Sequence, residues 1–219
     1  MGTRGSEKFF IYYSLLIMQQ VIFINGGTSK ENFKDYYDFL SQLSFDPYET
    51  PFKNWNKTLW EYLGSEYEYW RIPFREKGYA DYMAWKIIFE KSIPFFRDDL
   101  ILVSGSQGCT FILKYLIENP FLFRIKKIFF LAAALHDTPL EKLGTFEFDI
   151  SKISDLQDRF KDIFIYHSLD DDIVPMSHSE ELYTYFPHAI FRKFSDKGHF
   201  YQLERFVEVE EDIKRENGK

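Results

Sequence analysis

After residue 20 the chain alternates short apolar runs with amphipathic segments, and that alternation dictates most of what it can become. Val21-Ile-Phe-Ile24 is stopped by Asn25-Gly26-Gly27, the signature of a buried strand. Ser29 to Leu43 then places Phe33, Tyr36, Tyr37, Leu40 and Leu43 on one side of a helix. Tyr67 to Ile72 reads as a second strand ended by Pro73, and Ala80 to Ile93 as a helix carrying Met83, Ile87, Ile88 and Phe89. The most orderly unit follows: the apolar strand Leu100 to Val103, the turn Ser104-Gly-Ser-Gln-Gly108, and a helix from Cys109 to Glu118. Lys127 to Leu131, Ile163 to Tyr166 and Ala189 to Phe194 read as three more strands. Helices are expected from Ser177 to Tyr185 and from Leu203 to Lys214, while 136–161 reads as irregular or partly helical. The pattern predicts an α/β fold, a mostly parallel sheet with helices on both faces. Such sheets hold their sites at the carboxyl ends of strands, so the loops after strands are where chemistry belongs.

The 219 residues suit one domain, expected over 19–219. Residues 1–18 read as an N-terminal extension, from upstream translation or a vector-derived leader such as Met1-Gly-Thr-Arg-Gly-Ser6. The apolar run Phe9 to Met18 lacks the small-residue cleavage site of a signal peptide and is too short to span a bilayer. A net charge of −7 argues against nucleic acid, and the short basic run Arg124-Ile-Lys-Lys127 is expected to be solvated. The single cysteine, Cys109, allows no intrachain disulfide and offers no zinc cluster, so a cytoplasmic protein with no metal or other cofactor is expected. Its expected role is packing. No residue pattern specifies an oligomer.

Three of the loops after strands carry reactive residue types. Ser104-Gly105-Ser106-Gln107-Gly108 joins a strand to a helix, where a strained nucleophile needs small residues two before and two after it. The same turn could cradle a phosphate at a helix N-terminus, although no full phosphate-loop pattern is present. The second loop, Ser168-Leu-Asp-Asp-Asp-Ile-Val-Pro175, sets three carboxylates side by side without the spacing of a calcium loop. In the third, Ser195-Asp-Lys-Gly-His-Phe200, Gly198 permits a tight turn that presents His199. Of the other histidines, His178 and His188 are expected at the surface, and His167 is placed to orient the acidic loop. Serine, acid and histidine in that chain order, each after a strand, is the order of the α/β hydrolases.

The chain from Gln19 onward resembles the small, capless α/β-hydrolase-fold serine hydrolases of the retinoblastoma-binding-protein-9 and YdeN group. The likeness rests on Ile22-Phe-Ile-Asn-Gly-Gly27, the turn at Ser106, Ser168 to Pro175, and Gly198-His-Phe200. It implies Ser106 as nucleophile, Asp171 as acid and His199 as base, with Asp137, Asp170 and Asp172 as competing acids. Asn25, where many such enzymes carry His, and Ser104, where they carry Gly, depart from the pattern. The backbone N–H groups of Gln107 and Gly27, with Gly26 next, are expected to hold the oxyanion. Trp55, Trp60, Trp70 and Trp85 either line an acyl pocket or fill the core, and His136 to Phe148 could form a partial lid. The implied activity is hydrolysis of an ester, thioester or amide on a small or medium acyl substrate, most simply as a carboxylesterase. An aminopeptidase-like hydrolase and a non-catalytic binding protein of the same fold are the alternatives.

Overall fold

Strands that are apolar on both sides need both sides covered, and they are. In the computed structural model, which describes residues 18–30, 32–42, 53–75 and 77–216, six strands form one parallel sheet. They are β1 (Gln19–Ile24), β2 (Tyr67–Arg71), β3 (Leu100–Gly105), β4 (Ile125–Leu131), β5 (Phe160–Ser168) and β6 (Ile190–Phe194), in the order β2-β1-β3-β4-β5-β6. The α-helices are α1 (Phe33–Gln42), α2 (Trp55–Leu63), α3 (Tyr82–Ser92), α4 (Gln107–Glu118), α5 (Met176–Tyr185) and α6 (Val207–Lys214). Residues 1–17 of the expected N-terminal extension 1–18, and Leu43, lie outside the described residues.

Alternate strand residues point to opposite faces. Ile22, Leu102 and Phe130 enter one core with Trp85 and Phe89 of α3 and Phe111 of α4. Val21, Val103 and Phe129 enter the other with Trp55 and Leu59 of α2 and Ile213 of α6. The α/β architecture expected from the alternation is the one observed. β1 pairs with β2 on one side and β3 on the other, so the connections that leave the neighbours β1 and β3 run in opposite directions. A crevice opens at that switch point, and it holds the site. No cap domain covers it among the described residues: the connection 132–159 between β4 and β5 carries only the 3-10 helices Gly144–Phe146 and Ile150–Arg159.

Several expectations give way. Helix α2 was not foreseen, although Asn54 caps it by accepting from the Asn56 N–H and Trp55, Leu59 and Leu63 recur at helical spacing. The aromatics expected on one side of the first helix fall on α1, and none of them is buried. Phe33 stacks instead on Tyr79 at 4.7 Å, leaving Tyr37 and Leu40 exposed. On α3 the buried side is Tyr82, Trp85 and Phe89, while Met83 and Ile87 are exposed. His178 is buried rather than superficial, and its Nδ1 accepts from the Leu135 N–H.

Lys127 is the sharpest correction to the reading of the basic run. Arg124 is exposed and paired with Asp99, but strand alternation turns Lys127 into the same core as Phe129, where it is 1% exposed. Its Nζ donates to the carbonyls of Asp212 (2.8 Å), Ile213 (2.9 Å) and Arg215, the unpaired acceptors at the end of α6. Burial pushes the amine down to about 8.

Candidate active site

β3 runs into α4 through Ser106, whose backbone sits at φ 52°, ψ −127°. That region is costly for a side-chain-bearing residue, so the surroundings must enforce it. The Ser106 N–H donates to the Leu131 carbonyl at 2.9 Å, and its carbonyl accepts from the Cys109 N–H at 2.9 Å. A Cβ at Gly108 would come within 2.5 Å of the Ile24 carbonyl oxygen and 2.6 Å of that of Asn25, so the turn docks on β1 only with glycine there. A Cβ at Gly26 would lie 2.9 Å from the Ser106 Cβ. Ser104, the departure from glycine, is accommodated because its Oγ donates to the Phe129 carbonyl at 2.7 Å. Cys109 is buried, and burial pushes its thiol up to about 12. That protonation and burial fit packing and not reactivity.

The loop after β5 holds Asp171. Its side chain is fully buried, and Oδ1 accepts from the N–H groups of Ile173 and Val174, both at 2.9 Å. Oδ2 lies 2.8 Å from Nδ1 of His199. Burial alone would push this carboxyl up. The hydrogen bond and charge of His199, with the two backbone N–H groups, outweigh burial and hold the carboxyl below the usual range. His167, at the end of β5, ties the loop down: Nε2 reaches the Val174 carbonyl at 2.8 Å and Nδ1 meets Ser179 Oγ at 2.7 Å. Nε2 of His167 is also 3.4 Å from Asp171 Oδ2.

The other acids do different work. Asp170 is exposed and accepts from Ser168 Oγ and the Gly198 N–H, which ties the acid loop to the histidine loop. Asp172 is exposed. Asp137 accepts from the Leu143 N–H at 2.8 Å and pairs with Lys142, so it braces its own segment.

The histidine loop is anchored by the helix that sequence reading missed. The Trp55 N–H donates to the Leu203 carbonyl and its indole Nε1 to the Phe200 carbonyl at 3.0 Å. Asn54 Nδ2 donates to the Tyr201 carbonyl. With Nδ1 committed to Asp171, Nε2 of His199 has no hydrogen-bond partner among the described residues.

These loops meet around a cavity of about 300 Å³, lined among others by Gly26, Gly27, Trp55, Ser106, Glu141 and His199. Ser106 and His199 share it without a hydrogen bond between them among the described residues. Of the tryptophans only Trp55 lines it. Trp85 stacks on Phe74 in the core at 4.2 Å, Trp60 is exposed, and Trp70 is partly buried against the core. From the 136–148 stretch Glu141 lines the cavity, beside an antiparallel bridge from Lys142 to Ser29. Gln107 spans to the same place, its Nε2 donating to Ser29 Oγ at 2.6 Å. The N–H groups of Gly26, Gly27 and Gln107 donate to no acceptor among the described residues, whereas that of Thr28 is taken by the Lys77 carbonyl. Glu141 and Lys77, both on the wall, were not singled out from sequence; nothing in their local pattern marks them.

No protein-family model and no curated protein matches the chain. Among solved structures it is similar to the ydeN gene product of B. subtilis, at a TM-score of 0.65 and 19% identity over 90% of this chain and 97% of that one. It is also similar to a putative YdeN-like hydrolase from Pectobacterium atrosepticum (TM-score 0.56, 14% identity, 95% and 96% covered). The esterase domain of a Rhodothermus marinus protein gives 0.54 at 14% identity, with 85% and 80% covered. Together with the parallel sheet and its uncapped crevice, these likenesses define the fold as that of the α/β hydrolases.

Proposed function

We propose that the chain is a serine hydrolase, most simply a carboxylesterase, that cleaves small or medium acyl substrates through an acyl-enzyme. The observation that carries this is Ser106, held at positive φ on a strand-to-helix turn, in one cavity with a histidine bonded to a buried carboxylate. A nucleophilic serine, a base and an orienting acid have these roles and this chain order in α/β hydrolases.

In this reading His199 Nε2 takes the Ser106 hydroxyl proton as Oγ attacks the substrate carbonyl. Asp171 keeps the proton of the neutral ring on Nδ1 and stabilises the imidazolium that forms. The Ser106–His199 hydrogen bond tightens when substrate binds, as catalytic bonds commonly do. The tetrahedral oxygen is taken by the Gln107 N–H, unpaired at the start of α4, and by that of Gly27, with Gly26 as its neighbour. The imidazolium then protonates the leaving group, and water activated by His199 releases the acid. A kinship with the retinoblastoma-binding-protein-9 and YdeN group is part of the same proposal, supported by the resemblance at the three loops. So is a reducing, cytoplasmic setting, supported by the lone buried Cys109.

A fluorophosphonate probe tests the reading. Covalent labelling of the wild type and its loss in Ser106→Ala are expected. An unlabelled wild type, or equal labelling of the variant, would overturn it and leave a binding protein on this fold. A panel of p-nitrophenyl esters beside aminoacyl anilides separates esterase from peptidase, with faster turnover of the esters expected.

A further inference from the structure

The cavity is electrically uneven. Lys77 lines it, next to the loop after β1, and its ammonium is within electrostatic reach of Arg71 and Lys57. Among the described residues none of these three cations lies within 4 Å of a carboxylate, although acids outnumber bases by 34 to 27 in the chain. Neighbouring cations that repel one another beside a partly buried cavity need a counter-charge. Burial, then Arg71, then Lys57 push the Lys77 amine down to about 8, the direction expected where that counter-charge is missing.

Arg71 does not itself line the cavity but is tied to two residues that do. Its Nη2 donates to Asn25 Oδ1 at 2.8 Å, and its guanidinium lies over the Phe23 ring. Asn25 and Phe23 both line the cavity. Its Nε is buried with no acceptor. Asn25, the residue that departs from the usual histidine, is thus the one that holds a guanidinium directly behind the cavity wall. Glu141, also on the cavity lining, accepts from Thr28 Oγ1 at 3.2 Å and lies within electrostatic reach of Lys30 and His199.

We propose that Lys77, on the cavity wall and backed by Arg71 and Lys57 behind it, forms an anion subsite, and that the substrate carries a carboxylate there. This rests on the hydrolase reading of Ser106. The carboxylate belongs either to the acyl part or to the leaving group, and matched esters separate the two: ethyl hydrogen glutarate carries it on the acyl side, and the butyryl ester of glycolic acid on the leaving-group side. Ethyl butyrate is the neutral reference and ethyl 4-aminobutyrate the cationic one.

One of the two anionic esters is expected to show kcat/KM at least tenfold above ethyl butyrate in the wild type. That ratio should fall at least fivefold in Lys77→Met and in Arg71→Met. A ratio near one in the wild type, or one unmoved in both variants, overturns the subsite. A preference for the ammonium ester overturns it too, and transfers recognition to Glu141. Fluorophosphonate labelling of each variant keeps the two proposals apart: labelling without carboxylate preference fails the subsite alone. If the wild type does not label, the hydrolase reading fails, and the subsite is then read by thermal shift. Glutarate should raise the Tm of the wild type and not of Lys77→Met; an equal shift in both overturns it.

Discussion

Between β3 and α4 the backbone at Gly108 passes so near the Ile24 and Asn25 carbonyls that no side chain fits, and Gly26 comes nearly as close to the Ser106 turn. Between β5 and α5 the acid loop has room, and is held instead by the His167 ring, by N–H groups turned onto Asp171 Oδ1, and by Asp170 reaching Gly198. One region is fixed by exclusion and the other by hydrogen bonds. Steric fixing gives way all at once, because a Cβ at 2.5 Å has no partial solution. Hydrogen-bonded fixing gives way by degrees, since each bond contributes about 1 kcal/mol and its neighbours remain.

The largest effect should therefore come from the smallest side chain. Gly108→Ala puts a methyl group against two backbone carbonyls, and the strained Ser106 turn cannot be kept without moving β1. A stability loss of about 3 kcal/mol or more in urea unfolding is expected, with no measurable ester hydrolysis. A variant of wild-type stability and turnover would mean that the contact does not restrain the turn.

Asp171→Asn comes next, and it tests the other region through charge alone. The amide keeps the shape of the carboxylate but can donate to His199 Nδ1, which leaves Nε2 protonated and unable to accept from Ser106. A fall of about 10⁴-fold in kcat is expected by analogy with other Ser-His-Asp triads. Asp137→Asn, which touches only Leu143 and Lys142, should stay within about threefold. The reverse ranking would give the triad acid to Asp137.

These two regions were also unequally legible. The turn at Ser106 could be read because its constraints are local: small residues at fixed offsets between an apolar strand and a helix. The acid loop showed three carboxylates and no means of choosing by local pattern; burial, which separates Asp171 from its exposed neighbours, is set by the α5 and β6 side of the fold. Lys127 misled for the same reason. Its partners are the carbonyls of Asp212 and Ile213, 85 and 86 residues later, so its local run looked solvated. Helix α2 was readable, since Asn54 and the Trp55-Leu59-Leu63 spacing are local, but its task of anchoring the His199 loop was not. The exposed α1 face shows the limit of periodicity, which tells that a face is apolar and not whether anything covers it.

The smallest of the three effects separates hydrogen bonding from catalysis. His167 touches Val174, Ser179 and Asp171, and lines no part of the cavity. His167→Gln should cost about 2 kcal/mol near pH 7.5, from the loss of two buried hydrogen bonds, and slow turnover only about tenfold by loosening Asp171. Its pH dependence is the sharper readout. Burial lowers the His167 pKa from its ordinary 6.5 against the pull of the Val174 carbonyl and Asp171, and burial lowers that of His178 as well. Below about pH 6.5 the unfolded chain therefore takes up protons that the folded chain refuses, and stability falls as the pH falls. Urea unfolding between pH 8 and 5 should show that decline in the wild type and a shallower one in His167→Gln, with the remainder due to His178. An identical slope in both would mean that His167 takes up its proton equally in the folded and unfolded chain, and a steeper decline in His167→Gln would mean that it is charged in the folded protein and that the acid loop is held by an ion pair.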